Sequence, residues 1–151
     1  MSAHERLSER GLVLPPVPSP AAAYQPWSTA DGFTFTAGQL PVVDGTLQAT
    51  GKLGAGLTTA DGAALARTAA LNVLAVGAAA LGDLDVVRVV KVVVFVASDP
   101  AFVEQHLVAN GASELLGEIL GEHGVHARSA VGVPVLPMDA PVEVEAVLAR
   151  A

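Results

Sequence analysis

The sequence predicts a single α/β domain that assembles with further copies of itself. Its 151 residues suit one domain around one core. Hydrophobic residues make up 52% of the chain and charged residues 15%, so few polar side chains are available to cover a monomer. Residues 86–96 are mostly valine, a pattern typical of a strand that is covered on both faces. Helices can cover one face, and in so small a protein we expect another subunit to cover the other.

The N-terminal part of the chain predicts a short helix, a connector and a hairpin. Residues 2–10 have a polar helical pattern, and the prolines within residues 14–20 exclude a helix or a central strand. We expect a first strand around Tyr24 and a turn at the Asp-Gly pair of residues 31–32. A half-buried strand should follow over residues 33–37, where aromatic and polar side chains alternate.

A long helix is predicted before the valine-rich strand. The Asp-Gly pair of residues 44–45 predicts a second turn, followed by a short strand over residues 46–50. Thr58 and Asp61 have the spacing of a helix capping box. Apolar residues at helical spacing then continue as far as Gly82, which is typical of a helix end.

A second helix and two closing strands are predicted after the valine-rich strand. The Asp-Pro pair of residues 99–100 suits the first positions of a helix. The Asn-Gly pair of residues 110–111 predicts a break or kink within it. Valines alternate in residues 131–135 and again in residues 142–144, so we expect two strands joined by a turn at residues 137–139.

Charge and composition exclude several classes of protein. The net charge is -7, and the eight Lys and Arg residues form no cluster, which argues against a nucleic-acid partner. The absence of cysteine excludes disulfides, thiolate nucleophiles and Cys-ligated metals. The N-terminal ten residues are too charged for a secretory signal, and residues 86–96 are too short to span a bilayer. We therefore expect a cytoplasmic protein with no membrane partner.

The most specific pattern is an ordered set of motifs. An arginine begins an alternating stretch, a Leu-Pro turn follows, and a strand with two glutamates closes the chain. In chain order the motifs are Tyr24, Gly38-Gln39-Leu40-Pro41, Asn110, Arg128-Ser129-Ala130, Leu136-Pro137 and Val142-Glu143-Val144-Glu145-Ala146. In this order and spacing they resemble the RidA family, also called YjgF and labelled endoribonuclease L-PSP, and in particular a longer branch of it.

The resemblance covers residues 21–150 and implies a fold and an assembly. We interpret residues 1–20 as an N-terminal helix with a proline-rich extension and residues 21–151 as the RidA-like domain. The implied fold is that of the trimeric chorismate mutases, a mixed sheet with two helices on one face and the core of a homotrimer on the other. Ligand clefts would then lie between subunits.

The resemblance also implies an activity. Active members hydrolyse reactive enamine or imine intermediates to 2-keto acids and ammonia. By this resemblance Arg128 pairs with the substrate carboxylate and Glu143 positions the attacking water. A planar guanidinium gives two parallel hydrogen bonds to a carboxylate, and one carboxyl group can serve proton transfer in both directions.

Four further residues are implied to bind the substrate. Tyr24 would pack against it, Gly38 would allow close backbone approach, and Asn110 would line the cleft. The backbone N–H of Ala130 would help to hold the carboxylate, although many members have Cys at this position. No cofactor and no metal are expected, and the implied partner is a small carboxylate.

Simpler interpretations remain open for each of these residues. Arg128 also suits a plain surface arginine, and Glu143 and Glu145 share a strand parity that suits one solvated face. Tyr24 also suits a packing residue, and Asn110 suits a turn. His123 and His126 have the spacing of a weak metal pair, for which a solvated loop is the simpler account.

Other functions are also compatible with the same fold. The main alternative to a deaminase is a non-catalytic trimer that binds a small carboxylate or regulates through it. The labels endoribonuclease and translation inhibitor given to some relatives agree poorly with the acidic charge. Chorismate mutase activity would rest on likeness of fold alone, which does not determine function.

Overall fold

A computed structural model describes residues 1–17 and 23–151. Its α-helices are α1 (Ala3–Glu9), α2 (Thr59–Leu81) and α3 (Gln105–Leu120). Its strands are β1 (Trp27–Ala30), β2 (Phe33–Thr36), β3 (Val42–Val43), β4 (Thr46–Leu47), β5 (Lys52–Leu53), β6 (Gly56–Leu57), β7 (Val87–Ala97), β8 (Ala127–Val133) and β9 (Val142–Arg150). Short 3-10 turns lie at Leu84–Val86, Gly121–Gly124 and Pro137–Asp139.

One mixed sheet organises the domain. Its five strands lie in the order β1-β2-β9-β7-β8, in which only β7 and β8 pair in parallel. The strands β3 with β4 and β5 with β6 form two small separate ladders. Helices α2 and α3 pack on each other and against one face of the large sheet. The predicted mixed sheet with two helices on one face is confirmed.

The valine-rich strand is covered on one face within a single chain. In β7, Val92, Val94 and Val96 point toward the helices and are fully buried. The intervening Val93 and Phe95 point to the other face and are only half-buried. We call that other surface the open sheet face, defined by Phe33, Phe35, Val93, Phe95, Val131, Glu143, Glu145 and Val147. Helices therefore supply half of the predicted cover, whereas Phe33, Phe35 and Val131 on the open sheet face remain 41%, 47% and 42% exposed.

Helix α2 has the ends that its sequence predicts. The Thr58 side chain accepts from the Asp61 N–H, and the Asp61 side chain accepts from the Thr58 N–H, so the capping box is present. Gly82 ends the helix in the left-handed region at φ 89°. The helix is long and apolar enough to cross a bilayer by length and composition, but its apolar residues form part of the core of this fold.

The predicted start of α3 is wrong. The carboxylate of Asp99 accepts from the Ala101 N–H, and its carbonyl accepts from the Phe102 N–H, which forms a separate tight turn. The helix begins only at Gln105, because residues 99–102 are used to return the chain from β7.

The predicted break at Asn110-Gly111 is also wrong, since α3 runs through both residues. A Cβ atom at Gly111 would overlap the backbone carbonyl of Ala63 in α2. Glycine at this position therefore allows two helices to approach closely, and it does not interrupt either one.

The hairpin predictions hold with shorter strands. The turns at residues 31–32 and 44–45 have positive φ at both positions, as hairpin turns require. The first strand begins at Trp27, so Tyr24 lies in a bend before it. The strand predicted over residues 46–50 ends at Leu47, and β8 ends at Val133 before Val135.

The N-terminal helix belongs to the same core as the sheet. Ala3 and Leu7 of α1 are buried in the main hydrophobic cluster. The Glu118 carboxylate of α3 pairs with Arg10 at 3.3 Å and with Arg67 of α2 at 2.7 Å, so three helices meet at one acidic group. The predicted division between residues 20 and 21 lies outside the described residues.

Candidate functional site

The Arg128 side chain is held by helix α3. Arg128 is the second residue of β8, the edge strand that follows the helix. Its Nη1 donates to Asn110 Oδ1 at 2.9 Å and to Ser113 Oγ at 3.1 Å. Its Nη2 donates to the carbonyl of His106 at 3.2 Å. The structure thus brings two of the predicted site residues, Arg128 and Asn110, into direct contact.

The remaining donors of Arg128 suit a planar anion. A guanidinium has five N–H donors, and the protein uses both of those on Nη1 and one on Nη2. Within the described residues no acceptor binds the Nε–H or the second Nη2–H. Nε and Nη2 lie side by side on one edge of a guanidinium, and a carboxylate can accept from such an edge in bidentate fashion.

A second layer of hydrogen bonds continues from Ser113. The Ser113 hydroxyl lies 2.9 Å from Nε2 of His126, and Nδ1 of the same imidazole lies 2.6 Å from the Gly124 carbonyl. A carbonyl only accepts, so Nδ1 carries a proton. His126 is therefore not free for the weak metal pair with His123 that its spacing suggested.

Glu143 and Gly38 form a second group. Glu143 lies on β9 and points to the open sheet face, opposite Phe95. A Cβ atom at Gly38 would overlap the Glu143 carboxyl, so the glycine makes room for that side chain. Backbone hydrogen bonds between Gln39 and Val144, at 2.7 and 2.9 Å, hold the two segments together.

The environment of Glu143 favours its neutral form. Partial burial raises the pKa of the Glu143 carboxyl, and the nearby Glu145 carboxylate raises it further. Glu145 itself lines a shallow depression of about 280 Å³ with Phe35 and Lys91. The two glutamates share a face but have different neighbours.

A buried asparagine positions the segment that follows Gly38. Asn72 of α2 is 3% exposed, and its Nδ2 donates to the carbonyls of Leu40 and Val42, both at 3.0 Å. Sequence reasoning missed this residue, although a polar side chain on the buried face of a helix was a usable signal. It also missed Ser113, which lies three residues after Asn110 on α3, and His126, which lies two residues before Arg128.

The two groups lie on opposite faces of the sheet. Arg128 pairs in register with Val92, whose side chain is in the core beneath the helices. Glu143 pairs in register with Phe95 on the open sheet face. Register partners point to the same side of a sheet, so one chain cannot present Arg128 and Glu143 to the same small ligand.

The other predicted residues lie close to one group or to neither. Ala130 is half-buried on the same face of β8 as Arg128 and pairs in register with Val94. Tyr24 is 47% exposed, and in the described part of the chain no hydrogen bond joins it to Arg128 or Glu143.

Elsewhere in residues 1–17 and 23–151, one group of side chains has the geometry of a metal site. It consists of the exposed His4, Asp83 and Asp85. His4 pairs with Asp83 at 3.0 Å, and the Ala3 N–H donates to Asp85. These contacts fasten α1 to the turn before β7.

Comparison with known proteins identifies the family. The family model described as "YjgF/chorismate_mutase-like, putative endoribonuclease" matches residues 4–148. The chain belongs to the RidA/YjgF family. The match includes α1, whereas the motifs in the sequence resembled the family only from residue 21.

Individual RidA/YjgF relatives match over nearly their whole length. Protein TCP17 of Trypanosoma cruzi is 49% identical over 144 residues, which cover 94% of this chain and 90% of the relative. A structure from Shewanella oneidensis described as "a putative endoribonuclease" has a TM-score of 0.95 at 32% identity and covers 99% of both chains. E. coli TdcF with bound serine has a TM-score of 0.65 at 27% identity and covers 89% of this chain and 94% of its own.

Proposed function

We propose that the protein hydrolyses reactive 2-imino or enamine acids to 2-keto acids and ammonia. The observation that supports this most directly is the Arg128 guanidinium. Three of its donors are fixed by α3, and its two remaining donors suit a carboxylate. A small α-substituted carboxylic acid is the simplest ligand for such an edge, and TdcF, a relative, is known with serine bound.

The proposed reaction uses water and one carboxyl group. Water adds to the imine carbon, forming a C–O bond while the C=N electron pair moves to nitrogen. The Glu143 carboxyl donates its proton to that nitrogen, and the resulting carboxylate takes a proton from the attacking water. A second transfer from Glu143 protonates the amine, and the C–N bond breaks as the hydroxyl oxygen forms the C=O bond of the 2-keto acid. Ammonia leaves, and the hydroxyl proton returns to the Glu143 carboxylate. A raised pKa favours the protonated carboxyl with which this cycle begins.

The opposite orientations of Arg128 and Glu143 lead us to propose a homotrimer. Arg128 of one subunit would meet Glu143 of its neighbour in a cleft between them. The open sheet face supports this assembly, because Phe33 and Phe35 are 41% and 47% exposed in a single chain. Burying such aromatic side chains is a main driving force for association.

A coupled assay tests the activity. An enzyme that releases 2-aminoacrylate from serine is run with and without the protein, and the rate of pyruvate release is measured. We expect the parent to accelerate release and Arg128→Ala to abolish the acceleration. No acceleration by the parent on any imine, with pyruvate still bound, would favour the alternative of a non-catalytic carboxylate-binding trimer.

The endoribonuclease description of several relatives is weaker here. The net charge of -7 and the eight basic residues, which are scattered along the sequence, argue against binding of a phosphate backbone. Incubation with a labelled RNA checks this directly, and we expect no cleavage that depends on Arg128.

A further inference from the structure

We propose that Ser113 and His126 are positioning residues that fix the Arg128 guanidinium for carboxylate binding. The proposal rests on the proposed function, since it concerns how the same anion anchor is oriented. Neither residue belongs to the motifs that connect the chain with its family. Both are half-buried and lie within one chain of hydrogen bonds that ends on Arg128.

The direction of each hydrogen bond follows from the chemistry of its ends. Arg128 only donates, so Ser113 Oγ accepts from it at 3.1 Å. The single hydroxyl proton of Ser113 is then available to Nε2 of His126 at 2.9 Å. The Gly124 carbonyl accepts from Nδ1 at 2.6 Å, so with the ring proton on Nδ1 the Nε2 atom is the acceptor.

This arrangement connects Arg128 to buried, closely packed backbone. Gly124 lies in the 3-10 turn that joins α3 to β8, and it is buried with no room for a Cβ atom because Leu116 of α3 lies against it. The imidazole is anchored there, the hydroxyl is aligned by the imidazole, and the guanidinium is aligned by the hydroxyl. Asn110 and the His106 carbonyl hold the same end of the guanidinium from α3.

Fixing that end has a direct consequence for binding. A guanidinium that rotates must lose this freedom when a carboxylate binds to its side edge, whereas an oriented one has already lost it. One neutral hydrogen bond typically contributes about 0.5–1.5 kcal/mol, which corresponds to about 2- to 13-fold in affinity. We expect loss of the Ser113–His126 pair to weaken carboxylate binding within this range and to raise KM more than it lowers kcat.

The test uses the whole 151-residue chain. It compares substitutions that break or keep the relay, by which we mean the hydrogen bonds from His126 through Ser113 to Arg128. Ser113→Ala and His126→Leu break it. Ser113→Thr keeps a hydroxyl, and His126→Gln keeps an acceptor for that hydroxyl. His123→Leu is a matched control, because His123 is an exposed imidazole in the neighbouring turn without a hydrogen bond to the site in the described chain. Thermal unfolding of each variant checks the fold.

The first readout is the NMR spectrum of protein labelled with ¹⁵N-arginine and free of ligand. The Arg128 signals are assigned by their loss in Arg128→Lys. In the parent, His126→Gln and His123→Leu, we expect separate Nη signals, which show slow rotation of the guanidinium. In Ser113→Ala and His126→Leu we expect the signals to average.

The second readout is calorimetric binding of pyruvate, with KM and kcat measured in the coupled assay. Unchanged Arg128 signals or unchanged pyruvate affinity in both Ser113→Ala and His126→Leu would overturn the positioning role. Equal losses in His126→Gln and His126→Leu would also overturn it, because a purely structural role would not be rescued. A parent that binds pyruvate but does not hydrolyse 2-aminoacrylate would contradict only the deaminase, and the relay would stand on the NMR and pyruvate results.

Discussion

The Arg128 side and the Glu143 side of the site are built in different ways. Arg128 is held by three hydrogen bonds from α3, and a further layer through His126 supports them. Glu143 stands on the open sheet face beside Gly38, and none of the described residues donates a hydrogen bond to its carboxyl. Burial raises its pKa instead. An anion anchor gains from fixed orientation, whereas an acid–base group gains from an unpartnered carboxyl whose proton is easily exchanged.

In the proposed site, the difference also indicates which half a single chain would complete. The anchor needs only α3, β8 and the turn between them, which follow one another directly in the sequence. The carboxyl faces away from the anchor, and in the proposed trimer another subunit would cover it. The following predictions test this division, beginning with assembly.

Disrupting the open sheet face should have the largest effect. Phe35→Glu places a charge on a surface that the trimer would bury, so we expect monomers and complete loss of turnover. Light scattering at micromolar concentration measures the mass. Val103→Glu is the control, because Val103 is 74% exposed in the loop before α3 and should leave assembly unchanged. A parent that is itself a stable monomer would contradict the division of the site between subunits.

Removing the acid on the Glu143 side should lower turnover without releasing the ligand. Glu143→Gln keeps the shape of the side chain, and we expect kcat to fall by about 10²- to 10⁴-fold with pyruvate affinity nearly unchanged. Glu145→Gln is the matched control on the same strand and face, and its effect should be small. Similar small effects of both substitutions would remove Glu143 from the mechanism.

Removing the anchor should lower affinity first. Arg128→Ala deletes a charge-assisted pair, which typically contributes about 1.5–3 kcal/mol, so pyruvate binding should weaken by about 10- to 150-fold. Light scattering should show the same mass as the parent, since Arg128 binds α3 of its own chain. Parent-like affinity in this variant would show that the carboxylate binds elsewhere.

Displacing the Glu143 carboxyl without removing it should lower turnover by less than Glu143→Gln does. Gly38→Ala introduces a Cβ atom where the Glu143 carboxyl now lies, so the carboxyl must shift. We expect turnover to fall while the affinity for pyruvate stays close to that of the parent. Gly117→Ala is the control, because a Cβ atom there meets nothing within 4 Å and should slightly stabilise α3. Unchanged kcat in Gly38→Ala would indicate that the position of Glu143 is not critical.

The smallest effect concerns stability as a function of pH. A raised pKa means that Glu143 holds its proton more tightly in the folded protein than in the unfolded chain, where the pKa of its carboxyl lies near 4.5. The parent therefore loses stability as pH rises through the unfolded and then the folded pKa. Glu143→Gln has no carboxyl to titrate and so lacks this loss. At pH values above the folded pKa the variant should be more stable than the parent, and this difference in the free energy of unfolding should shrink at pH values below the unfolded pKa. Urea unfolding at several pH values measures this, and a difference that grows toward acid pH would contradict the shift.

Signals that involve neighbouring residues were sufficient to predict many elements. Thr58 with Asp61 begins α2, and Gly82 ends it, because caps and left-handed glycines act over a few residues. The Asp-Gly turns and the alternation in β2 and β9 are local in the same sense. The same signals failed at Asp99 and Gly111, where packing against distant elements decided the outcome.

In the candidate site, too, some features follow from the local sequence and others from packing against distant elements. The sequence by itself determined the family and the residue types at Arg128, Asn110, Gly38 and Glu143, since these appear as ordered motifs along the chain. Only the tertiary structure decided that Arg128 joins Asn110, Ser113 and His126, and that Glu143 points to the opposite face. The reason is physical: face and contact depend on strand register and helix packing, which are set by burial of the whole core and not by any one segment.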